Sequence, residues 1–107
     1  HFADVAVYAS AKAAAEKMSR HAAIELAKYG IRVNAIAPGW TDTGAARLAA
    51  KDETYYKIPL KKWATVEEIA KIAVFLGSDA AASITGTSIL ADNGACLVSD
   101  KRERYGY

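Results

Sequence analysis

The sequence predicts an α/β fold carried on a parallel sheet, and three observations predict it. A long amphipathic helix signal ends at a glycine and runs directly into a β-branched segment. A second helix is announced by a capping box beginning at Thr65. A second β-branched segment follows that helix and ends in a polar turn. Strands joined by a helical crossover pair in parallel, with a right-handed connection. Two strands, two main helices and a long irregular stretch are therefore expected.

The first helix is predicted over about Val7 to Tyr29. Ala11, Ala15, Met18, Ala22, Leu26 and Tyr29 recur at three- and four-residue steps and define an apolar stripe. Its many alanines are strong helix formers and suit close approach by another element, and Gly30 stands where a left-handed residue ends a helix. Lys12, Glu16 and Arg20 are spaced for i,i+4 ion pairs, with a plain solvated face as the alternative for Lys12. Ile31 to Ala37 then reads as a buried strand entered through a one-residue turn and stopped by Pro38-Gly39.

Trp40 to about Pro59 reads as irregular, with two helical turns expected at most over Ala45 to Lys51. A stretch of this length between firm elements commonly carries binding residues. Thr65-Val66-Glu67-Glu68 satisfies two orphan helix amides reciprocally and starts the second helix. Ile69, Ile72, Ala73 and Leu76 form its apolar stripe, and Gly77 closes it. Ser78 to Ser83 is expected to make one short helical turn. Thr87 to Ala91 is the second strand, ended by Asp92-Asn93-Gly94. A parallel sheet needs more than two strands and cover on both faces, so these elements read as half of an α/β domain. The start at His1, without an initiator Met, fits the same expectation.

Composition excludes several classes. The 107 residues suit one small domain, and 52% hydrophobic with 24% charged residues is ordinary for a globular protein. A net charge of +2 is too small to imply nucleic acid or an anionic membrane as partner. One cysteine, Cys96, excludes an internal disulfide and fits a reducing, cytoplasmic setting; it reads as a packing residue. No apolar run is long enough to span a bilayer. No metal site is expected.

The stretch with the most chemistry is Tyr8-Ala9-Ser10-Ala11-Lys12. A tyrosine and a lysine four residues apart lie on one helical face, where an ammonium can approach a phenol or both can approach one ligand. A nearby cation favours the phenolate, which makes a tuned proton donor and acceptor. By itself the pair also reads as an ordinary helix-surface contact.

Six patterns then converge in order: Tyr8…Lys12, Gly30-Ile31-Arg32-Val33-Asn34, Pro38-Gly39, Trp63-Ala64-Thr65-Val66-Glu67-Glu68-Ile69-Ala70, Phe75-Leu76-Gly77-Ser78-Asp79, and Ile84-Thr85-Gly86…Ala91-Asp92-Asn93-Gly94. Together, over residues 5 to 95, they resemble the C-terminal half of the short-chain dehydrogenase/reductases. The resemblance implies the C-terminal part of a Rossmann-like doubly wound parallel sheet. Residues 1–107 would form the C-terminal half of a single oxidoreductase domain, with 40–60 its substrate-binding loop and 99–107 a C-terminal tail.

The resemblance also implies roles. Tyr8 matches the catalytic tyrosine that passes a proton to or from the substrate oxygen. Lys12 matches the lysine that makes this tyrosine a stronger acid and hydrogen-bonds the nicotinamide ribose. Pro38-Gly39 resembles the turn that passes the nicotinamide at the carboxyl end of a strand. Thr41 falls where the family's backbone meets the carboxamide, in place of the usual Ile or Val, and Thr43 matches the threonine that follows. Capping and loop solvation stand as structural readings of both threonines. Trp40 lies in the variable substrate loop. Asp92-Asn93-Gly94 replaces the commoner Asp-Gly-Gly and reads chiefly as a structural turn, because Asn tolerates positive φ.

The implied reaction is hydride transfer between NAD or NADP and a ketone or secondary alcohol, on either a sugar or polyol or a 3-oxoacyl thioester. The glycine-rich pyrophosphate turn, the residues that choose NAD or NADP, and the family's catalytic serine and asparagine have no match here. Ser10 faces another side of its helix and cannot replace the serine. The isolated chain is therefore expected to be inactive without the remaining half. Family members commonly form tetramers through the tyrosine helix and the last strand, so a homo-oligomer is implied. The alternative is a non-catalytic assembly or binding module.

Overall fold

A computed structural model of the chain describes residues 5–44, 46 and 58–98. The chain divides into two units, one of His1–Ala35 with Phe75–Ile89 and one of Ile36–Val74 with Leu90–Tyr107. The expected helical turns within 45–51 and the tail 99–107 lie outside the described residues, apart from Ala46.

In the first unit, α1 spans Ala6–Leu26 and tightens into a 3₁₀ turn at Ala27–Tyr29. It ends as its sequence predicts. Gly30 takes the left-handed conformation (φ 70°) and its N–H donates to Ala27 C=O at 2.9 Å, which satisfies one of the helix's orphan carbonyls. Glu16 pairs with Arg20 at 2.8 Å.

The apolar stripe needs a correction. Only Ala23 of α1 is buried, while Ala11, Ala15, Met18 and Tyr29 are exposed. Cover is local: Ala23 lies opposite Gly86, close enough that a Cβ there would meet the Ala23 Cβ at 3.5 Å. Periodicity marks which face can be buried, and a neighbouring surface decides how much of it is.

The strands are β1, Ala35–Pro38, and β2, Ser88–Ala91, paired in one two-stranded sheet. Ala35 N–H donates to Thr87 C=O at 2.9 Å and Gly39 N–H to Ala91 C=O at 3.0 Å. Both pairings keep the same offset, so the strands are parallel. The predicted strand over Ile31–Ala37 is shorter, later and half-buried rather than buried. Ahead of Ala35, one backbone bond, Gly86 N–H to Val33 C=O at 2.7 Å, is joined by side-chain bonds. Val33 N–H donates to Thr85 Oγ1, Asn34 Nδ2 to Ile84 C=O, and Thr87 N–H to Asn34 Oδ1. Arg32 reaches Ile84 C=O and Ser78 C=O in the same region. Among the described residues no third strand lies beside β1 to bury it.

α2 spans Val66–Gly77, with Gly77 its last residue. Its capping box forms as expected: Glu68 N–H donates to Thr65 Oγ1 at 3.1 Å, and Thr65 N–H to Glu68 Oε2 at 2.9 Å. Leu76 is buried and Ile69 and Ile72 are half-buried, but Ala73 is exposed. The short turn expected after it is a 3₁₀ turn at Asp79–Ala81, with Ala81 fully buried. Among the described residues the buried side chains of the second unit are Ile58, Trp63, Ala64 and the carboxylate-bearing Asp92.

Candidate functional site

Tyr8 and Lys12 lie in the first turns of α1, and both are exposed. The helical repeat places them on one face, and the Lys12 ammonium stands 5.6 Å from the Tyr8 ring centroid. That is a cation–π contact, worth about 0.5–1 kcal/mol at an exposed site. The ring therefore holds the ammonium beside the phenol, while the phenolic hydroxyl remains open to a ligand. Ser10 lies outside this pair, as its helical position requires.

The second candidate group lies in the other unit, where β1 ends. Gly39 donates to Ala91 C=O and packs against Asp92 so closely that no side chain fits between them. The next residues form a short parallel bridge to the segment before α2. Ala64 N–H donates to Trp40 C=O at 2.9 Å, Asp42 N–H donates to Ala64 C=O at 2.8 Å, and Thr41 pairs with Ala64. Trp40 stacks on buried Trp63 with ring centroids 5.6 Å apart and planes 22° apart.

The threonine hydroxyls have local partners. Thr41 Oγ1 donates to Gly39 C=O at 3.2 Å, and Thr43 Oγ1 accepts Ala46 N–H at 3.2 Å. Thr43 thus caps a helical turn, and its hydroxyl proton stays available to a further acceptor.

Asp92, at the end of β2, is the buried carboxylate of this group. Its Oδ1 accepts Gly94 N–H at 2.9 Å and its Oδ2 accepts Cys96 N–H at 2.7 Å. Burial pushes its pKa up, but hydrogen bonds from the Cys96 amide and thiol and the Gly94 amide outweigh it and hold the carboxyl below its ordinary range. The same hydrogen bond to Asp92, then burial and the carboxylate's charge, pushes the Cys96 thiol up. Cys96 is exposed, which corrects the expectation of a packing role. Asn93 (φ 55°) and Gly94 (φ 86°) complete the left-handed turn that the Asp-Asn-Gly sequence predicts.

The structure thus brings Tyr8 to Lys12, and Pro38, Gly39, Trp40, Thr41 and Thr43 to one turn. Sequence reasoning missed the anchors of that turn, Asp92, Trp63 and Ala64. The one available signal was the pair of tryptophans flanking the loop, the only two in the chain. Among the described residues no cluster of three or more His, Cys, Asp or Glu can hold a metal, and no helix is long and apolar enough to cross a membrane.

Comparison with known proteins gives the family of the chain. The family model described as enoyl-(acyl carrier protein) reductase matches residues 1–96. Protein FixR of Bradyrhizobium diazoefficiens is 41% identical over 90 residues, covering 84% of this chain and 32% of the relative. The 3-oxoacyl-(acyl-carrier-protein) reductase FabG of Pseudomonas aeruginosa is 41% identical over 90 residues, covering 81% and 36%. The crystal structure of a short chain dehydrogenase from Bacillus anthracis superposes with a TM-score of 0.73 at 43% identity, covering 83% of this chain and 34% of that one. The chain belongs to the short-chain dehydrogenase/reductase family, and its α/β fold is that of the family's Rossmann-like structures. It spans about a third of the length of the curated relatives it matches.

Proposed function

We propose that this chain supplies the proton-transfer pair and the nicotinamide turn of an NAD- or NADP-dependent oxidoreductase acting on a ketone or secondary alcohol. The observation that carries this reading is the Lys12 ammonium held against the Tyr8 ring on an exposed face of α1. In the reducing direction the Tyr8 hydroxyl gives its proton to the substrate oxygen as hydride reaches the carbon; in oxidation Tyr8 takes that proton back. Lys12 is assigned as the cation beside Tyr8 and would donate to the nicotinamide ribose when a dinucleotide is bound. The dinucleotide, when bound, supplies or accepts the hydride.

The donors suit such a ligand. Lys12 is an exposed cation, and Thr43 keeps a hydroxyl proton while its oxygen caps the turn. Pro38, Gly39 and Thr41 are assigned to the nicotinamide and its carboxamide through backbone contacts, and Trp40 to the substrate loop. The name of the Pseudomonas relative favours a 3-oxoacyl thioester over a sugar or polyol. Because the chain spans a third of its relatives, the activity is assigned to the whole gene product that carries it. That product is proposed to be a cytoplasmic homo-oligomer, a tetramer, for which the exposed apolar residues of α1 offer contact surface.

The test is Tyr8→Phe in the whole gene product. Turnover is expected to fall by about three orders of magnitude or more while dinucleotide affinity stays within about threefold. Activity within about tenfold of the parent removes Tyr8 from the reaction.

A further inference from the structure

Trp63 has no counterpart among the roles assigned above, yet it is one of the few buried side chains of the second unit, at 6% exposed. It stacks on Trp40, the residue that follows Gly39. The attachment is double. The indole rings meet in an offset stack, and the adjoining backbone forms a two-bond parallel bridge through Trp40 C=O, Ala64 and Asp42 N–H. On the far side, Ala64 leads directly into Thr65, whose reciprocal bonds with Glu68 start α2. The opposite end of the turn is pinned at Gly39 by Ala91 and Asp92. Residues 39–43 are therefore held at one end by β2 and at the other by the start of α2. A backbone that reads a ligand through its own N–H and C=O groups has no side-chain freedom with which to correct a misplaced turn.

We infer that Trp63 is a positioning residue: through its stack on Trp40 it sets the placement of the Gly39–Thr43 turn against the dinucleotide. This rests on the assignment of that turn to the nicotinamide. A shift of about 1 Å in such a contact can cost about two orders of magnitude in rate, so removing the stack acts on catalysis beside its effect on stability. Trp63→Leu keeps an apolar side chain in the buried site but removes the ring. Trp63→Phe keeps a ring and returns part of the stack.

The experiment is a double-mutant cycle on the whole gene product with Trp63→Leu, Trp40→Leu and both changes, read by steady-state kinetics with NADH and NADPH and an acetoacetyl thioester. Trp63→Leu is expected to lower kcat/KM for the dinucleotide about tenfold or more, to change KM for the thioester by less than about threefold, and to be near-silent in the Trp40→Leu background. Trp63→Phe restores most of the loss. The circular-dichroism difference between parent and Trp63→Leu is expected to show loss of a coupled indole band in the far ultraviolet, the signature of the stack. Additive effects of the two leucine changes overturn the inference, as does a loss that follows thermal stability alone. If Trp63→Leu fails to fold, Trp63→Met, which also lacks a ring, takes its place in the cycle under the same criteria. A parent that neither binds nor turns over with either dinucleotide removes the proposed function and this role together. An active parent with an unaffected Trp63→Leu variant removes this role alone.

Discussion

Gly39 and Asp92 stand so close that a Cβ on Gly39 would lie 2.6 Å from the Asp92 Cβ and 2.7 Å from its Cα. Each residue directly follows a strand, and Gly39 N–H bonds to the carbonyl just before Asp92. Backbone, not a flexible side-chain tip, occupies the space, so the clash cannot be relieved by a rotamer change. Gly39→Ala is therefore expected to destabilise the protein by about 1–3 kcal/mol, read as a lower urea midpoint with an unchanged slope. An unchanged midpoint would show that the two strand ends separate freely.

The turn beyond Asp92 gives a second expectation. Asn93 sits at φ 55°, where residues with a Cβ carry a penalty that glycine escapes. Asn93→Gly should leave stability within about 0.5 kcal/mol, whereas Asn93→Val should lower it by about 1–2 kcal/mol. Equal unfolding midpoints for the two variants would refute the left-handed assignment.

Asp92 and Cys96 predict opposite pH limits. The folded Asp92 pKa lies below its ordinary 3.8, so its stabilising contribution is present above that value and is lost as pH falls through the folded pKa. The Cys96 pKa lies above its ordinary 9.0, so its contribution is intact below that value and is lost as pH rises through the folded pKa. Asp92→Asn removes the carboxylate that holds the thiol neutral. Alkylation of Cys96 by iodoacetamide at mildly alkaline pH should then proceed about threefold faster or more, because the thiolate is the nucleophile. A slower or equal rate would disconnect the pair.

The capping box at the start of α2 can be tested separately from the site. Thr65→Ala removes the acceptor for Glu68 N–H and should cost about 1 kcal/mol in urea unfolding. Glu68 also accepts from Lys62, which together with the Thr65 N–H lowers its pKa. Thr65→Ala in a Glu68→Ala background should therefore cost less than it does alone, because the two groups satisfy each other. Full additivity would argue against a reciprocal box.

Lys12 offers the functional counterpart. Lys12→Met keeps the length of the side chain and removes its charge, and it should weaken dinucleotide binding and lower turnover by about two orders of magnitude in the whole gene product. Turnover that falls while binding is untouched would limit Lys12 to the tyrosine.

The features legible in the chain are those made within one turn of backbone. Gly30 ends α1 because a left-handed residue is needed there, Thr65 and Glu68 cap each other three residues apart, and Asn93-Gly94 makes its own turn. Tyr8 and Lys12 meet because the helical repeat leaves them no other arrangement. Each of these needs only neighbours in sequence.

Residues distant in sequence decided the rest. β1 begins only at Ala35 because the residues before it meet the other segment through a mixture of bonds, Gly86 N–H to Val33 C=O on the backbone and the Thr85 and Asn34 side chains beside it. No residue of the predicted apolar stripe of α1 is buried; only Ala23 beside it is, opposite the bare backbone of Gly86. Gly39 reads as a strand stop, but Asp92 supplies the reason it must lack a side chain. Trp63 reads as one apolar residue before a cap until Trp40 is found against its ring. Hydrogen-bond caps and helical spacing are local interactions and leave their mark on consecutive residues; burial and close approach depend on the surface that arrives from elsewhere, and that surface exists only once the chain has folded.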